Sequence, residues 1–383
     1  KITKMNLSWI KINTKTKKFF ILFFVYSFFI ILGDILYSNF GNIKDINYNC
    51  FKFYNLTADK KEYHYYDFKK NCIATESLRT VAPYNVYTDE NGYRFSGKPR
   101  KEIVKNILFV GDSQTYGFGI KYEDSFSGII QANLDNYEVY NLAVPSYGIR
   151  MYLKRIEDFY KKNKKASHIF VTLDMTDVID ASFRWHDITS LDTPVIKSHR
   201  VVKEIDSWDK IKGSNFKGIR LLTFYTRNFF RSIRKNFLIN NNKYEDIALK
   251  TEVANFTYEK INKENTPFLT NESFNLSLTY IDEYFGKISN LAKKNNTELY
   301  LIIFPWPENL IHGQKIFNWE SYTNEICKKH RCKKVLNLFK DFAVIKENNP
   351  NWKKLIYIDQ DIHLKRYGNS ILANKILSEV IFD

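Results

Sequence analysis

Apolar positions along this chain follow two periods. Short, strongly apolar or aromatic runs fall at 107–110, 137–143, 168–173 and 298–304. Between and after them, apolar residues recur every three or four positions over 125–134, 148–162, 275–294, 319–329 and 366–381. The runs predict buried strands and the spaced stretches predict amphipathic helices. Asp124 reads as the N-cap of the first helix. A last short strand is predicted at 355–358. Upstream, Glu90-Asn91-Gly92 is turn chemistry, so 87–94 reads as a hairpin or an extended lead-in. Strands that alternate with helices predict an α/β domain over 106–383, its parallel sheet covered on both faces.

Two stretches break the alternation. Residues 19–33 carry no charge, and Ile35, Leu36 and Tyr37 extend the apolar character past Asp34. A spanning helix needs about 20 apolar residues, or about 17 at the short end, so 19–37 reads as a transmembrane anchor. The basic tail 1–18 holds Lys11, Lys15, Lys17 and Lys18. The positive-inside rule then puts the N-terminus in the cytoplasm and everything after the anchor in an extracytoplasmic, periplasmic space. A cleaved signal peptide and a buried core helix are the rival readings; the bulky exit Ile35-Leu36-Tyr37 disfavours cleavage. The sequence opens on Lys1, so it starts either upstream of a native start at Met5 or inside a longer protein. Residues 38–105 form a lead-in. The second break, 187–271, is an insertion with a basic, aromatic helix candidate at 220–237. It reads equally as a lid over the strand ends or as a packing elaboration.

Composition narrows the partners. The chain has 383 residues, 44% hydrophobic, enough for a sizeable core. Its net charge is +16, yet no zinc-finger spacing or RNA-binding signature is present, and lysines are interleaved with acids. Nucleic acid is therefore a poor partner, and an anionic glycan or a membrane surface suits the charge better. Oligomeric state is not legible. The four cysteines fit two disulfides in an oxidising compartment, paired by proximity as Cys50–Cys72 and Cys327–Cys332. Zinc is the rival for Cys327, His330 and Cys332, although a fourth ligand is lacking.

Candidate chemistry begins where the run 107–110 ends in Gly111-Asp112-Ser113. A serine between a buried strand and a helix start has its hydroxyl at the sheet rim, among backbone N–H groups that can hold an oxyanion. Serine nucleophiles need a base and a group that orients it. Of seven histidines, His168 begins a strand and reads as structural. His363 alone is flanked by carboxylates, Asp359 and Asp361, in a loop. Active sites of parallel sheets lie beyond the carboxyl ends of the strands, where Ser113, Gly148, 174–177 and His363 all fall. The nucleophile elbow of α/β-hydrolases does not fit, because position 115 is Thr. A phosphate loop lacks its Gly-Lys-Ser/Thr.

These residues resemble the SGNH/GDSL hydrolase superfamily over roughly 107–382. Gly111-Asp112-Ser113 with Gly117 is similar to its first block, Asn141 through Gly148 to its second, and Asp361-Ile362-His363 with Gly368 to its last. The lead-in 88–94 is similar to what precedes the first block in membrane-anchored members. The resemblance implies a flavodoxin-like three-layer sandwich with a parallel sheet. It implies Ser113 as nucleophile, His363 as base, Asp361 as its partner, and an oxyanion hole of the Ser113 and Gly148 N–H groups. The third block departs from the pattern, because Thr176 stands where the family has an oxyanion asparagine; its hydroxyl can donate one hydrogen bond from a shorter side chain and is the third oxyanion candidate. Asp112 and Asp177 are possible supporting carboxylates, and Asp174, Asp177 and Asp180 leave a cation site open.

No cofactor and no metal is required. The expectation is an anchored serine esterase or O-acyltransferase, resembling polysaccharide O-acetyl esterases and transferases. Its substrate would be acyl, chiefly acetyl, esters of an extracytoplasmic glycan or another small acyl ester, with Trp306 and Trp185 available to stack on sugars. The alternative is an inactive glycan-binding or assembly protein on the same scaffold.

Overall fold

A computed structural model describes residues 21–26, 28–29, 31–32, 50–53, 66–76, 81–99, 105–162, 164–179, 271–314, 317–359 and 361–382. The chain divides into two compact units, Lys1–Asp45 with Pro194–Asn241, and Ile46–Thr193 with Asn242–Asp383. In the first unit, 21–26, 28–29 and 31–32 are helical, and Leu22, Phe24, Tyr26 and Phe29 are exposed. Among the described residues, no helix is long and apolar enough to cross a membrane. The remainder of 19–37, the tail 1–18, Asp180, Trp185 and nearly all of the insertion 187–271 lie outside the described residues.

The second unit is built on an eight-stranded sheet. Its strands are β3 (Ile73–Glu76), β4 (Tyr84–Thr88), β5 (Arg94–Phe95), β6 (Lys105–Val110), β7 (Tyr137–Asn141), β8 (His168–Thr172), β9 (Glu298–Ile303) and β10 (Lys334–Asn337). They lie in the order β10-β9-β8-β6-β7-β5-β4-β3. A separate antiparallel pair, β1 (Phe51–Phe53) and β2 (Tyr66–Phe68), precedes them. The pairings among β7, β6, β8, β9 and β10 are all parallel. Their order is the doubly wound arrangement in which ligands bind where the winding reverses. Here the reversal falls between β6 and β8, because the chain leaves β6 for β7 on one side and returns to β8 on the other. Ile107, Leu108, Phe109 and Val110 are all buried, as a strand covered on both faces requires. Phe109, Phe170 and Tyr300 stack across β6, β8 and β9 at 5.0 Å between successive rings.

The helices are α1 (Ser113–Tyr116), α2 (Phe126–Asn133), α3 (Ile149–Tyr160), α4 (Thr176–Ile179), α5 (Asn271–Lys294), α6 (Pro307–His312), α7 (Trp319–His330), α8 (Phe339–Asn348), α9 (Trp352–Ile356) and α10 (Arg366–Ile376). The predicted lead-in hairpin forms as β4 and β5, with Asp89 Oδ1 accepting from Asn91 and Tyr93 N–H at 2.8 and 2.9 Å. Both predicted disulfides are present. The sulfurs of Cys327 and Cys332 are thus bonded to each other, and His330 Nε2 meets Asp282 Oδ1 at 2.9 Å, which leaves no zinc arrangement.

Three expectations need correction. Ser125, not Asp124, caps α2: its Oγ accepts from Gly128 N–H at 3.2 Å, while Asp124 sits in a 3-10 turn and pairs with Arg366 at 2.9 Å. The stretch 355–358 is not a strand. It completes α9, with Trp352 and Ile356 buried one turn apart, and only Tyr357 makes a bridge, to Leu364. The fifth parallel strand is β10, which among the described residues pairs only with β9 and needs only a short apolar core around Val335 and Leu336. Finally, Trp306 is 0% exposed, so it belongs to the core and cannot stack on a sugar.

Candidate active site

Strand β6 is apolar from Ile107 to Val110 and then meets Gly111. A Cβ there would lie 2.1 Å from Thr115 Oγ1, so only glycine lets the chain pass directly into α1. Asp112 caps α1, accepting from Gln114 N–H at 2.9 Å. Ser113 is therefore the first helical residue, at the carboxyl end of the strand beside the winding reversal. Gly117, with φ +81°, ends the helix in the left-handed region.

So short a helix leaves its carbonyls open, and the lead-in supplies their partner. Arg94 on β5 is wholly buried. It donates to the Tyr116 carbonyl, to the Gly117 carbonyl at 2.7 Å and to the Ile120 carbonyl at 2.6 Å. Its guanidinium lies 4.4 Å from the centre of the Tyr116 ring. The Tyr116 hydroxyl donates to Glu76 at 3.0 Å, as does that of Tyr84. Burial pushes the Glu76 carboxyl up, against the pull of Arg94 and these hydroxyls. From β7, Asn141 donates to the Thr115 carbonyl at 2.8 Å. The Ser113 turn is thus gripped from β3, β5 and β7.

The imidazole comes from the last stretch of chain. After α9, Ile358 N–H donates to the His363 carbonyl at 2.8 Å and Asp361 N–H to the Ile358 carbonyl at 2.9 Å. Asp361 Oδ1 accepts from the Ile362 and His363 N–H groups at 2.8 and 3.1 Å, and meets His363 Nδ1 at 2.5 Å. One carboxylate therefore orients both the turn and the ring. With the Nδ1 hydrogen given to Asp361, Nε2 keeps its lone pair. It lies 2.8 Å from Ser113 Oγ, across 250 residues of sequence, where it is placed to accept the serine hydrogen. The Phe118 ring sits 5.4 Å from the imidazole. Asp359 does not join this group; its carboxylate meets Lys365 Nζ at 3.3 Å. His168 stands at the opposite, amino end of β8.

Beside Ser113 lies a layer of acids. Asp112 Oδ2 is 3.3 Å from Ser113 Oγ and 2.9 Å from Thr176 Oγ1. Thr176 Oγ1 is also 2.5 Å from Asp174 Oδ1, and Asp174 N–H donates to Asp177 Oδ2 at 2.8 Å. Burial first, then the neighbouring Asp174 and Asp112, push the Asp177 carboxyl well up. The Thr176 hydroxyl has one hydrogen and faces two carboxyl groups, so the expectation that it supplies an oxyanion donor does not fit this arrangement. Among the described residues, no group of three or more His, Cys, Asp or Glu is disposed to hold a metal ion.

Gly148 is the residue before α3, and its loop runs beside the Ser113 turn: Val144 N–H donates to the Gly111 carbonyl at 3.3 Å. Neither the Ser113 nor the Gly148 N–H is taken up by a hydrogen bond among the described residues.

Two residues that the motif reading passed over hold the His363 turn in place, one from the Ser113 turn and one against α2. Gln114 Nε2 donates to the Ile362 carbonyl at 3.0 Å. Asn369 accepts from Phe126 N–H at 3.0 Å and donates to the Leu364 carbonyl at 3.0 Å. Adjacency to Ser113 is a usable signal for Gln114; nothing local marks Asn369.

Among solved structures, the chain is similar to a member of the lipolytic protein G-D-S-L family from Veillonella parvula. That likeness has 11% identity, covers 73% of this chain and 99% of that one, and has a TM-score of 0.40. It is similar also to the acetylxylan esterase Axe2 from Geobacillus stearothermophilus, at 11% identity over 73% of this chain and 96% of that one, with a TM-score of 0.41. A third likeness, to TesA, has 9% identity, covers 72% of this chain and 97% of that one, and has a TM-score of 0.38. Likeness at this distance carries no residue role or activity to this chain. No protein-family model matches the chain, and no curated protein does.

Proposed function

We propose that this protein is a serine-dependent acyl-ester enzyme, an SGNH-type esterase or O-acyltransferase. One observation carries the reading: Ser113 Oγ, His363 and Asp361 form a continuous chain of 2.8 and 2.5 Å contacts at the carboxyl rim of a parallel sheet. Ser113 attacks the ester carbonyl while His363 Nε2 takes its proton. The Ser113 and Gly148 N–H groups receive the tetrahedral oxyanion. His363 returns the proton to the departing alcohol, leaving an acyl-serine. An acceptor hydroxyl, activated in turn by His363, then takes the acyl group. Water as acceptor makes an esterase, and a sugar hydroxyl makes a transferase.

The favoured substrate is an acetyl ester of an extracytoplasmic, anionic glycan, in keeping with the +16 charge. The exposed apolar side chains of the helical residues at 21–32, behind a lysine-rich tail, support a membrane anchor with the main domain outside. The Cys50–Cys72 and Cys327–Cys332 bonds support an oxidising compartment.

A fluorophosphonate probe tests the chemistry. Labelling of Ser113 is expected, and it is expected to disappear in Ser113→Ala and to fall by at least about 10⁴-fold in His363→Ala. Mass spectrometry of envelope glycans from a deletion strain then separates the two acceptors, because ester is lost without a transferase and accumulates without an esterase. The second reading, a non-catalytic glycan-binding protein, is favoured by the Thr176 hydroxyl, which faces the Asp112 and Asp174 carboxyl groups at the position of the family's oxyanion asparagine. A folded protein that does not label at all would support it.

A further inference from the structure

Ser113 has one hydroxyl hydrogen and two acceptors within reach, His363 Nε2 at 2.8 Å and Asp112 Oδ2 at 3.3 Å. Only the first prepares the oxygen for attack. A bare carboxylate is the stronger draw on a hydroxyl hydrogen, so Asp112 is a competitor placed one residue from the nucleophile. Its Oδ1 is occupied by the Gln114 N–H of the helix cap at 2.9 Å. What happens to Oδ2 therefore decides where the serine hydrogen points.

Oδ2 has a second neighbour from another strand end. Thr176, at the start of the helix after β8, places Oγ1 2.9 Å from Asp112 Oδ2 and 2.5 Å from Asp174 Oδ1. Counting hydrogens leaves two arrangements. If the threonine hydrogen goes to Asp112, Oδ2 already accepts a charge-assisted bond. If it goes to Asp174, the contact with Asp112 needs a proton on Oδ2, which then is a hydroxyl oxygen and a poor acceptor. Either way, Oδ2 competes for the Ser113 hydrogen less strongly than a carboxylate oxygen with no other partner would, in keeping with its longer 3.3 Å contact to Ser113 Oγ.

We infer that Thr176 is a positioning residue that occupies Asp112 Oδ2 and so leaves the Ser113 hydrogen to His363. The inference deepens the proposed serine chemistry and rests on it for its kinetic consequence. It also gives position 176 a task different from donation to an oxyanion, and the two tasks make opposite predictions in a double variant.

The test uses the full chain and four forms: wild type, Thr176→Val, Thr176→Ser, and Thr176→Val with Asp112→Asn. Thr176→Val keeps the shape and removes the hydroxyl. Its limiting rate of fluorophosphonate labelling is expected to fall about 10- to 100-fold, the range for a hydrogen bond to a charged group, with little change in the probe concentration at half-maximal rate. Thr176→Ser is expected to recover most of the rate. Adding Asp112→Asn to Thr176→Val is expected to recover most of it as well, because an amide NH₂ at the Oδ2 position donates rather than competes. An oxyanion donor lost at 176 would not be restored by a change at 112, so failure of that rescue, with thermal unfolding showing all forms folded, overturns the inference. So does a Thr176→Val rate equal to wild type.

The ¹⁵N resonance of His363 Nε2 reads the same hydrogen bond without turnover. It is expected to move downfield, toward the unbonded value, in Thr176→Val and to return in both rescue forms. A wild type that fails to label but shows this shift pattern would sink the enzymatic reading and leave the role of Thr176 standing. An unchanged resonance would overturn the inference whatever the labelling shows.

Discussion

The two loops that meet at the candidate site are held in opposite ways. The Ser113 turn is gripped from outside: Arg94 fills its open carbonyls from β5, Asn141 reaches in from β7, and Glu76 anchors the Tyr116 hydroxyl. The His363 turn holds itself, through Asp361 Oδ1 and two backbone bonds that close within six residues, Ile358 to His363. The contrast teaches where precision comes from. A four-residue helix satisfies only some of its polar groups within its own turn, through the Asp112 cap and the bonds of the Gly117 and Phe118 N–H groups to the Ser113 carbonyl, so part of its geometry is borrowed from a distant hairpin. A carboxylate that accepts three N–H groups within its own turn orients an imidazole with no such help. The relation between the two loops rests on slender ties, chiefly Gln114 Nε2 to the Ile362 carbonyl.

Variants that sharpen this contrast differ in size. Asp361→Asn keeps an oxygen for the backbone N–H groups but forfeits the charge that holds the Nδ1 hydrogen. Its labelling rate is expected to fall about 10³–10⁴-fold, while unfolding in urea moves by no more than about 1 kcal/mol. A large loss of stability would show that the histidine turn is not self-held.

Arg94→Ala should do the reverse. It leaves three carbonyls and the buried Glu76 without their cation. A destabilisation of about 3–5 kcal/mol is expected, read as the shift in urea midpoint multiplied by the slope. Arg94→Lys should recover little, because one ammonium cannot replace the guanidinium fork. A near-neutral Arg94→Ala would break the idea that the Ser113 turn depends on the hairpin.

The acids beside Ser113 yield a pH prediction. Asp177 has its folded-state pKa raised above the usual 3.8 by burial and by Asp174 and Asp112. The folded protein therefore keeps a proton that the unfolded chain gives up. Stability from this group is full below about 4 and declines as pH rises toward the folded pKa, by at most about 1.4 kcal/mol per pH unit. Asp177→Asn has no proton to lose, so its stability relative to wild type is expected to increase from pH 5 to pH 8. A difference that stays flat or shrinks over that range contradicts the buried, protonated acid.

The smallest effect concerns the strut. Gln114→Met keeps the length and removes the donor to Ile362. A drop of about tenfold in labelling rate is expected, with about 1 kcal/mol or less lost from stability. An unchanged rate would mean that the two loops find each other through Asn369 and the packing of α10 against α2 alone.

Much of this was legible along the chain, because it depends on near neighbours. Apolar runs marked the four strands at the centre of the sheet, since a strand covered on both faces must be apolar on both. Glu90-Asn91-Gly92 marked the hairpin, and Cys50 with Cys72 and Cys327 with Cys332 are near enough in sequence for proximity to pair them. Asp361 and His363 share one turn. The edge strand β10 escaped because it is four residues long and only Leu336 among them is fully buried, so it carries little apolar sequence. The stretch 355–358 misled because four consecutive apolar or aromatic residues also suit the end of a buried helix.

Other features were decided only by tertiary structure: the 2.8 Å approach of His363 to Ser113 across 250 residues, Arg94 in the carbonyls of α1, Trp306 in the core, and the Thr176 hydroxyl between Asp112 and Asp174. The physical reason is a difference of range. Periodicity and turn chemistry record which way each short segment bends and which face it hides. Side-chain hydrogen bonds depend on which loops the strand order delivers to the same rim, and a hydroxyl carries no mark in sequence of which of several oxygens will take its single hydrogen.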